Sequence, residues 1–344
     1  MSRLEYHALR VAEVIEETAD ARSVVFDVPS ELRDSFAYKP GQFVTLHVPH
    51  GDKNLPRCYS ASSSPHLDEP LRVTIKRVVD GRASNWICDH LAAGDTLEVA
   101  APAGIFCPRD LDGEFLLFAG GSGITPVLSI LRSVLLAGRG HVRLIYANRD
   151  ERSVIFAEEL ARLSREHPQR LQIVHWLDSV QGIPSQAQLA SLTQGWENAD
   201  CFVCGPAIFM DATAAALHDA GYARNKVHIE RFVSLPDDAD TPPAEALGSA
   251  DAASVTINVK LDGETHTVEG KQGALLLDTL EEAGLDAPYS CRAGACAACM
   301  CHLDAGEVEL AQNQVLDQND LEQGWVLGCQ AILRSDKISV SYPE

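Results

Sequence analysis

Long apolar stretches are missing from this sequence, and their absence argues against a protein with membrane-spanning helices. No run approaches the roughly 18 apolar residues that a membrane-spanning helix needs, although 46% of the 344 residues are hydrophobic. Residues 1–7 contain no apolar signal segment, so we expect a cytoplasmic protein that does not act at a membrane. A chain of this length should fold into two or three domains, each with an ample core.

Basic residues are also few, since 28 Lys and Arg stand against 49 Asp and Glu, for a formal net charge of −21. This excess of negative charge argues against a nucleic acid partner, whose phosphates it would repel. The imbalance is uneven, because residues 251–344 hold 16 acidic and 5 basic residues. Two interpretations stay open: an ordinary solvated surface, or an acidic face that steers a redox partner.

The sequence does contain ten cysteines, and four of them follow a spacing typical of iron. Cys291, Cys296 and Cys299 form a C-x4-C-x2-C loop, and Cys329 follows thirty residues later. This is the plant-type ligand spacing for a [2Fe–2S] cluster. Gly294 and the alanines around it allow backbone N–H groups to approach the sulfurs. The spacing therefore predicts that these four cysteines are iron ligands.

Other uses of the cysteines remain open at this point. A structural zinc site usually pairs two short knuckles, and no second knuckle surrounds Cys329. Disulfides are a further alternative, but nothing else in the chain resembles a secreted protein. Cys301 breaks the ligand spacing, and we predict that it is a buried thiol in a strand.

Changes of pattern along the chain predict three domains and a linker. Residues 1–110 hold short β-branched runs separated by Pro-Gly and Asp-Gly turns, which predicts an antiparallel β-barrel. Residues 111–233 alternate strand and helix patterns, which predicts a parallel α/β sheet. Residues 234–252, rich in Pro, Ala and Asp, predict a mobile linker. Residues 253–344 contain a hairpin, a helix and the cysteine loop, which predicts an α+β domain.

Three short motifs in the first domain carry a resemblance to a known family. R-x-Y-S at 57–60, G-x-x-S at 81–84 and P-x-G-x-F at 102–106 occur in this order. The set resembles the FAD domain of the ferredoxin–NADP reductase family. The resemblance implies FAD as a cofactor, with Arg57 at the pyrophosphate, Tyr59 stacked on the flavin ring and Ser60 beside its N5.

The chemistry suits these residue types, because arginine offers a forked permanent charge and tyrosine a flat aromatic surface. The resemblance adds Lys76, Gly81 and Ser84 to the flavin site, with Ser84 at a helix N-terminus that favours phosphate. A surface ion pair for Arg57 and a core position for Tyr59 are the alternatives.

A glycine-rich turn, GGSGITP at 120–126, lies between an apolar strand and a helix. Backbone amides in such a turn can reach a pyrophosphate, although a lone glycine turn is weak evidence. Cys204-Gly205-Pro206 follows a later strand of the same sheet, and ligand sites lie beyond the carboxyl ends of parallel strands. We therefore predict a coenzyme site that contains Gly121, Gly123, Gly205 and Pro206.

Both segments are similar to the NAD domain of the same family. The resemblance implies that Thr125 and Cys204 border the nicotinamide where hydride crosses to flavin, with a buried strand-end thiol as the alternative for Cys204. It also implies that Glu230 and Phe232 are the closing acid and the flavin-facing aromatic residue, with packing or a solvated charge as the alternative. The catalytic set implied by the resemblance is Tyr59, Ser60, Thr125, Cys204 and Glu230.

Residues 146–152 bear on the choice of coenzyme. Arg149 and Arg152 are interrupted there by Asp150 and Glu151. A 2′-phosphate would need an unopposed group of cations. We therefore expect NADH rather than NADPH, with Arg149 at the coenzyme.

A hydride donor supplies two electrons at once, whereas a [2Fe–2S] cluster carries one, and flavin can mediate between them. The domain order, with a β-grasp ferredoxin last, resembles the reductase components of bacterial oxygenases. The resemblance implies a route from NADH through FAD and the cluster to a terminal oxygenase. We also expect the reductase to be a monomer. Two other hypotheses remain: a zinc-holding redox sensor, and a quinone or dye reductase whose cluster domain is only regulatory.

Two branches of this family compete, namely the reductases of phenylacetyl-CoA epoxidase and of 3-ketosteroid 9α-hydroxylase, a Rieske-type system of steroid degradation. The segments 82–90, 146–156 and 175–182 resemble the steroid branch more. The cluster loop differs from both branches at Ala295 and at 297–298. We expect these differences to affect the cluster potential and the docking of the partner, but not ligation.

Overall fold

The computed structural model describes residues 5–51, 53–232, 253–316 and 318–343, without the side chain of Asn319. The linker expected at 234–252 lies outside the described residues. The chain divides into two compact units, of which one covers Tyr6–Phe232 and the other holds the described C-terminal residues. In the described part of the chain, no helix is long and apolar enough to cross a membrane.

Six antiparallel strands form the first sheet, in the order β4-β3-β6-β1-β2-β5. Ala61 bridges to Val73 and joins the end of β4 to β5, which closes the sheet into the expected barrel. Helix α1 (Arg82–His90) follows β5. The strands are β1 (Tyr6–Thr18), β2 (Ala21–Asp27), β3 (Phe43–His50), β4 (Lys53–Ser60), β5 (Leu71–Lys76) and β6 (Thr96–Ala100).

Five parallel strands form the second sheet, in the order β11-β10-β7-β8-β9. The chain order reverses between β7 and β10, so their carboxyl ends meet at the switch point where ligands bind in such sheets. The strands are β7 (Glu114–Gly120), β8 (His141–Asn148), β9 (Leu171–Leu177), β10 (Asp200–Cys204) and β11 (Val227–Glu230). The helices are α2 (Ile124–Leu136), α3 (Ala157–Glu166), α4 (Asp178–Gln181), α5 (Gln186–Ser191) and α6 (Ala207–Asp219).

Direct contacts hold the barrel against the parallel sheet within this unit. The ring of Phe106, which ends the P-x-G-x-F motif, packs edge-on against Phe202 of β10 at 5.1 Å between centroids. Arg132 of α2 is buried and pairs with Glu69 at 2.6 Å and with Glu159 at 3.1 Å. These contacts fix the position of the flavin motifs relative to the coenzyme motifs.

The C-terminal unit is a mixed sheet in the order β13-β12-β18-β14-β16, with β12 parallel to β18 and antiparallel neighbours on either side. Asp262 and Gly263 both have positive φ, as a two-residue hairpin turn requires. The elements are β12 (Ser254–Leu261), β13 (Glu264–Lys271), α7 (Leu276–Glu282), β14 (Met300–Ala305), β15 (Val308–Leu310), α8 (Gln318–Glu322), β16 (Trp325–Leu327), β17 (Ala331–Leu333) and β18 (Lys337–Ser341). The predicted α+β class is confirmed.

Candidate functional site

The four cysteines of the predicted cluster come together in two pairs. The N–H of Cys291 donates to Sγ of Cys296 at 3.4 Å, and the N–H of Cys329 donates to Sγ of Cys299 at 3.5 Å. Among the described residues, no three His, Cys, Asp or Glu side chains meet at a single metal position. Two pairs of sulfurs instead fit a two-iron cluster with four cysteine ligands.

The cluster loop holds an unusual backbone that directs N–H groups at sulfur. Arg292, Gly294 and Ala297 have φ of 52°, 68° and 53°, and each non-glycine residue in this region costs about 1–3 kcal/mol. In return, the N–H groups two and four residues after Cys291 both donate to its Sγ at 3.4 Å. A strained loop that turns donors towards sulfur suits anionic ligands.

Within each pair, one thiol stabilises the other as a thiolate. A hydrogen bond from Cys296, together with the loop N–H groups, lowers the pKa of Cys291 to about 6. A hydrogen bond from Cys299 likewise lowers the pKa of Cys329. Iron binds the thiolate form, and no disulfide joins any of the ten cysteines, all of which are described. The residues present therefore fit the cluster. Cys301 is a buried thiol in β14, as expected, and belongs to neither pair.

Strand β4 carries the R-x-Y-S motif along one edge of the barrel. Arg57 and Tyr59 are two residues apart in a strand and so project from the same face, while Ser60 is buried opposite Phe43. Burial raises the pKa of Tyr59, which keeps its hydroxyl protonated. The guanidinium of Arg57 donates to the carbonyl of Pro56 at 2.8 Å. A flat ring beside a guanidinium fits an isoalloxazine joined to a pyrophosphate.

Gly81 and Ser84 lie at the start of α1. A Cβ on Gly81 would stand 2.5 Å from Oγ of Ser84, 2.9 Å from Cβ of Val78 and 3.0 Å from the carbonyl oxygen of Val78, which favours glycine there. The Ser84 hydroxyl accepts the N–H of Val78 at 3.2 Å. The first-turn amides of a helix have no acceptor within the helix. The α1 N-terminus can therefore offer backbone donors to a phosphate, with the Ser84 side chain bracing the turn.

The two glycine-containing coenzyme motifs touch backbone to backbone. A Cβ on Gly123 would stand 2.1 Å from the carbonyl oxygen of Cys204 and 2.7 Å from the nitrogen of Gly205. A Cβ on Gly120 would stand 2.7 Å from Cδ of Pro206. Only residues without a side chain allow this approach, which brings together turns that are about 80 residues apart in sequence.

Residues from both domains surround the turn that follows β7. Thr125 is buried, and its hydroxyl donates to the carbonyl of Ser122 at 3.1 Å. Gly121 has φ of 51°, and a Cβ placed on it would lie 3.7 Å from Nζ of Lys76 at the end of β5. The hydroxyl of Tyr146 donates to the carbonyl of Gly121 at 3.1 Å. Lys76 of the barrel is thus positioned at the coenzyme turn.

Cys204 and Glu230 are register partners at the carboxyl ends of β10 and β11. Burial raises the pKa of the Cys204 thiol well above its usual value and that of Glu230 to about 8. Burial also raises the pKa of the Cys107 thiol, with a smaller contribution from Glu230, and Cys107 directly follows the P-x-G-x-F motif of the barrel. Phe232 lies two residues beyond Glu230 and is 46% exposed.

Arg149 and Lys76 share one carboxylate partner. Asp20 Oδ2 lies 3.1 Å from Nη2 of Arg149, which is 69% exposed, and 3.8 Å from Nζ of Lys76. The Asp20 carboxylate thus offsets the positive charge of Arg149 and Lys76, which a 2′-phosphate would need. Asp178 directly follows β9, and the sequence did not single it out as a site residue. It lies beside Arg149, because the carbonyl of Arg149 accepts the N–H of the next residue, Ser179, at 2.8 Å. Oδ1 of Asp178 is buried, and no hydrogen-bond partner for it occurs among the described residues.

Comparison with known proteins defines the class. Three family models match in chain order: the oxidoreductase FAD-binding domain at 8–107, the oxidoreductase NAD-binding domain at 117–215 and the 2Fe-2S iron-sulfur cluster binding domain at 259–334. The chain is therefore an electron-transfer oxidoreductase with domains for FAD, NAD and a [2Fe–2S] cluster. The cofactors and the three-domain architecture predicted from the sequence are confirmed.

Individual relatives narrow this class. The chain is 50% identical over 337 residues to "3-ketosteroid-9-alpha-monooxygenase, ferredoxin reductase component" of Rhodococcus rhodochrous, covering 97% of this chain and 96% of that one. It is 34% identical over 362 residues to one of the subunits of the 1,2-phenylacetyl-CoA epoxidase of Escherichia coli, covering 98% of each. The fold matches phthalate dioxygenase reductase with a TM-score of 0.60, at 23% identity over 98% of each chain. The chain belongs to the ferredoxin reductase family, as a relative of these oxygenase reductases.

Proposed function

We propose that the chain is the reductase component of a 3-ketosteroid 9α-monooxygenase. It would pass electrons from NADH through FAD and the [2Fe–2S] cluster to a terminal oxygenase of the Rieske type. The observation that carries the proposal is the 50% identity to the Rhodococcus rhodochrous reductase over nearly all of both chains. The 34% identity to the epoxidase component makes that system the second candidate.

We assign four segments to the domains and their linker: 1–110 for FAD, 111–233 for NAD, 234–252 as linker and 253–344 for the cluster. The cluster ligands are Cys291, Cys296, Cys299 and Cys329. The residues assigned to FAD and to the coenzyme are Arg57, Tyr59, Ser60, Lys76, Gly81, Ser84, Gly121, Gly123, Thr125, Arg149, Cys204, Gly205, Pro206, Glu230 and Phe232.

When bound, the flavin supplies the conversion between two-electron and one-electron transfer. The protein supplies position. The close contact between Gly123 and Cys204 would bound the nicotinamide site, and the hydrogen bond from Thr125 to Ser122 braces the turn that contains Gly123. Because the pKa of Glu230 is about 8, its carboxyl is mostly protonated at neutral pH. It can then donate a hydrogen bond there without placing a negative charge beside the coenzyme.

NADH is the coenzyme that the charges around β8 favour. Arg149 has Asp20 as a partner, and Asp150, Glu151 and Asp178 add negative charge at the same edge. A 2′-phosphate would meet repulsion there, whereas a ribose hydroxyl could donate to a carboxylate.

Further parts of the proposal concern the surroundings of the protein. The acidic C-terminal domain would steer the oxygenase, because complementary charge accelerates weak electron-transfer encounters. We also propose that the reductase is a cytoplasmic monomer. Ten cysteines without a disulfide suit a reducing compartment.

Reconstitution tests the function directly. The purified reductase, NADH and the terminal oxygenase of a 3-ketosteroid 9α-monooxygenase should convert a 3-ketosteroid into its 9α-hydroxylated product. Cys296→Ala should abolish this reaction but retain reduction of a dye by NADH, since dyes accept electrons from flavin. Cys301→Ala, a change at a buried cysteine outside the ligand pairs, is the matched control and should keep both activities.

Two results would overturn the proposal. Steroid hydroxylation that persists in Cys296→Ala would show that the cluster is not on the route to the oxygenase. Product formation with a phenylacetyl-CoA epoxidase, and none with the steroid oxygenase, would favour the second candidate.

A further inference from the structure

The residue after the fourth cysteine makes contacts that the ligand spacing does not explain. Gln330 is only 5% exposed. Its side-chain Nε2 donates to Sγ of Cys329 at 3.7 Å and to the carbonyl oxygen of Arg292 at 2.8 Å. A side-chain amide nitrogen carries two hydrogens, so both acceptors can be satisfied at once. One side chain therefore connects the fourth sulfur to the three-cysteine loop.

The loop end of this connection is held firmly. Arg292 has a left-handed backbone with φ of 52°. Its guanidinium pairs with Asp278 at 2.8 Å and with Glu281, and it lies over the ring of Tyr289 at 4.3 Å. With its side chain anchored to α7, the Arg292 carbonyl is a fixed acceptor. The Gln330 amide is thereby oriented with its second hydrogen towards sulfur.

A donor to a ligand sulfur acts on the redox equilibrium of a cluster. One-electron reduction adds a negative charge, part of which resides on the sulfurs, and an N–H dipole directed at sulfur stabilises that charge. The effect is larger in a buried site, because little water screens it. Once all four cysteines are thiolates, no thiol donates, and the other donors to the ligand sulfurs described above are backbone N–H groups. Gln330 supplies a side-chain donor, so a substitution can remove it.

We propose that Gln330 sets the potential of the cluster by donating a hydrogen bond to Cys329 Sγ while its second N–H is held by the Arg292 carbonyl. Gln330 is a positioning and tuning residue rather than a ligand. The inference rests on the proposed role of Cys329 as an iron ligand.

Potentiometric titration of the full-length holoprotein, followed by the electron paramagnetic resonance of the reduced cluster, tests this proposal. Gln330→Met keeps the length of the side chain and removes the donor. We expect the redox equilibrium to shift about tenfold towards the oxidised cluster. For a one-electron couple, this shift lowers the reduction potential by about 59 mV. Iron and sulfide content should remain that of the wild type.

Gln272→Met is the matched control within the same domain. Gln272 also donates from its side-chain amide to a backbone carbonyl, that of Arg334, which is not a residue of the cluster loop. This variant loses a comparable structural hydrogen bond and should keep the wild-type potential. An equal shift in both variants would overturn the tuning role, because general loosening of the domain would then explain it.

The potential and the iron content of the Gln330 variants also test the tuning role. A cluster-loaded Gln330→Met protein with the wild-type potential overturns the proposal. If that variant loses iron, Gln330→Leu takes its place, since it is uncharged, similar in volume and lacks the donor, and it must also show a lower potential. Loss of iron from both variants, with Gln272→Met intact, would leave Gln330 a structural role only and overturn the tuning role. Wild-type protein without iron would instead refute the proposed function.

Discussion

Gly123→Ala provides a sharp test of how the coenzyme site is built. The φ of Gly123 is −61°, so alanine meets no backbone strain at this position. Its Cβ, however, would stand 2.1 Å from the carbonyl oxygen of Cys204, where ordinary contact begins at 3.4 Å. The two turns would have to separate by more than 1 Å to admit one methyl group.

Two consequences of different size follow from this displacement. Overpacking of this kind costs about 1–3 kcal/mol of folding free energy. Misplacement of a reacting group by about 1 Å costs on the order of 100-fold in rate. We therefore expect hydride transfer from NADH to flavin to slow about 100-fold, with normal flavin and iron content, because the barrel and the cluster loop are unchanged.

Stopped-flow bleaching of the flavin by NADH, with thermal unfolding of the same samples, measures both effects. Gly138→Ala is the control, because its Cβ would stand 2.3 Å from the carbonyl oxygen of Leu111, a similar clash outside the motifs of the site. The control should lose comparable stability and keep its rate of flavin reduction. If Gly123→Ala reduces flavin at the wild-type rate, or if both variants slow equally, the close contact does not position the coenzyme.

Three further predictions concern charge. Because burial raises the pKa of Glu230 to about 8, the native state binds more protons than the unfolded state between pH 4.5 and 8, so stability falls as pH rises through this window. Glu230→Gln should remove that fall and gain up to about 5 kcal/mol at pH 9 in denaturant unfolding, at about 1.4 kcal/mol for each unit of the shift, whereas parallel pH profiles would contradict it. Asp178→Asn should raise kcat/KM for NADPH relative to NADH by roughly tenfold, since about 1.4 kcal/mol of repulsion is removed, and an unchanged ratio would exclude Asp178 from coenzyme choice. Arg132→Met leaves the partly buried Glu69 without its cationic partner, whereas Glu159 keeps Arg72 at 3.1 Å, and it should cost about 3 kcal/mol of stability, the lower end for a broken buried pair. Arg139→Met, at an exposed pair with Asp112, should leave stability close to that of the wild type.

Local sequence patterns were informative wherever hydrophobic periodicity was undisturbed. The apolar runs at 115–119, 141–147 and 201–204 predict strands and the spacing at 126–136 predicts a helix, and β7, β8, β10 and α2 lie close to these positions. No hydrophobic pattern predicts strand β4, because its sequence is polar and contains Pro56. The polar residues of the flavin motif therefore hide the β-pattern of β4, the strand on which the motif lies. No periodicity predicted helix α6 or strand β11 either.

The sequence by itself determined the order of the domains, the cofactor classes and the set of four cysteines. These depend on residue types at short, fixed spacings, which can be read without knowing the path of the chain. The close approach of Gly123 to Cys204, the position of Asp178 beside Arg149 and the contact of Gln330 with the cluster loop were decided by the tertiary structure alone. In each case the order of strands in a sheet, or the folding of a loop, places groups together that lie far apart in the chain.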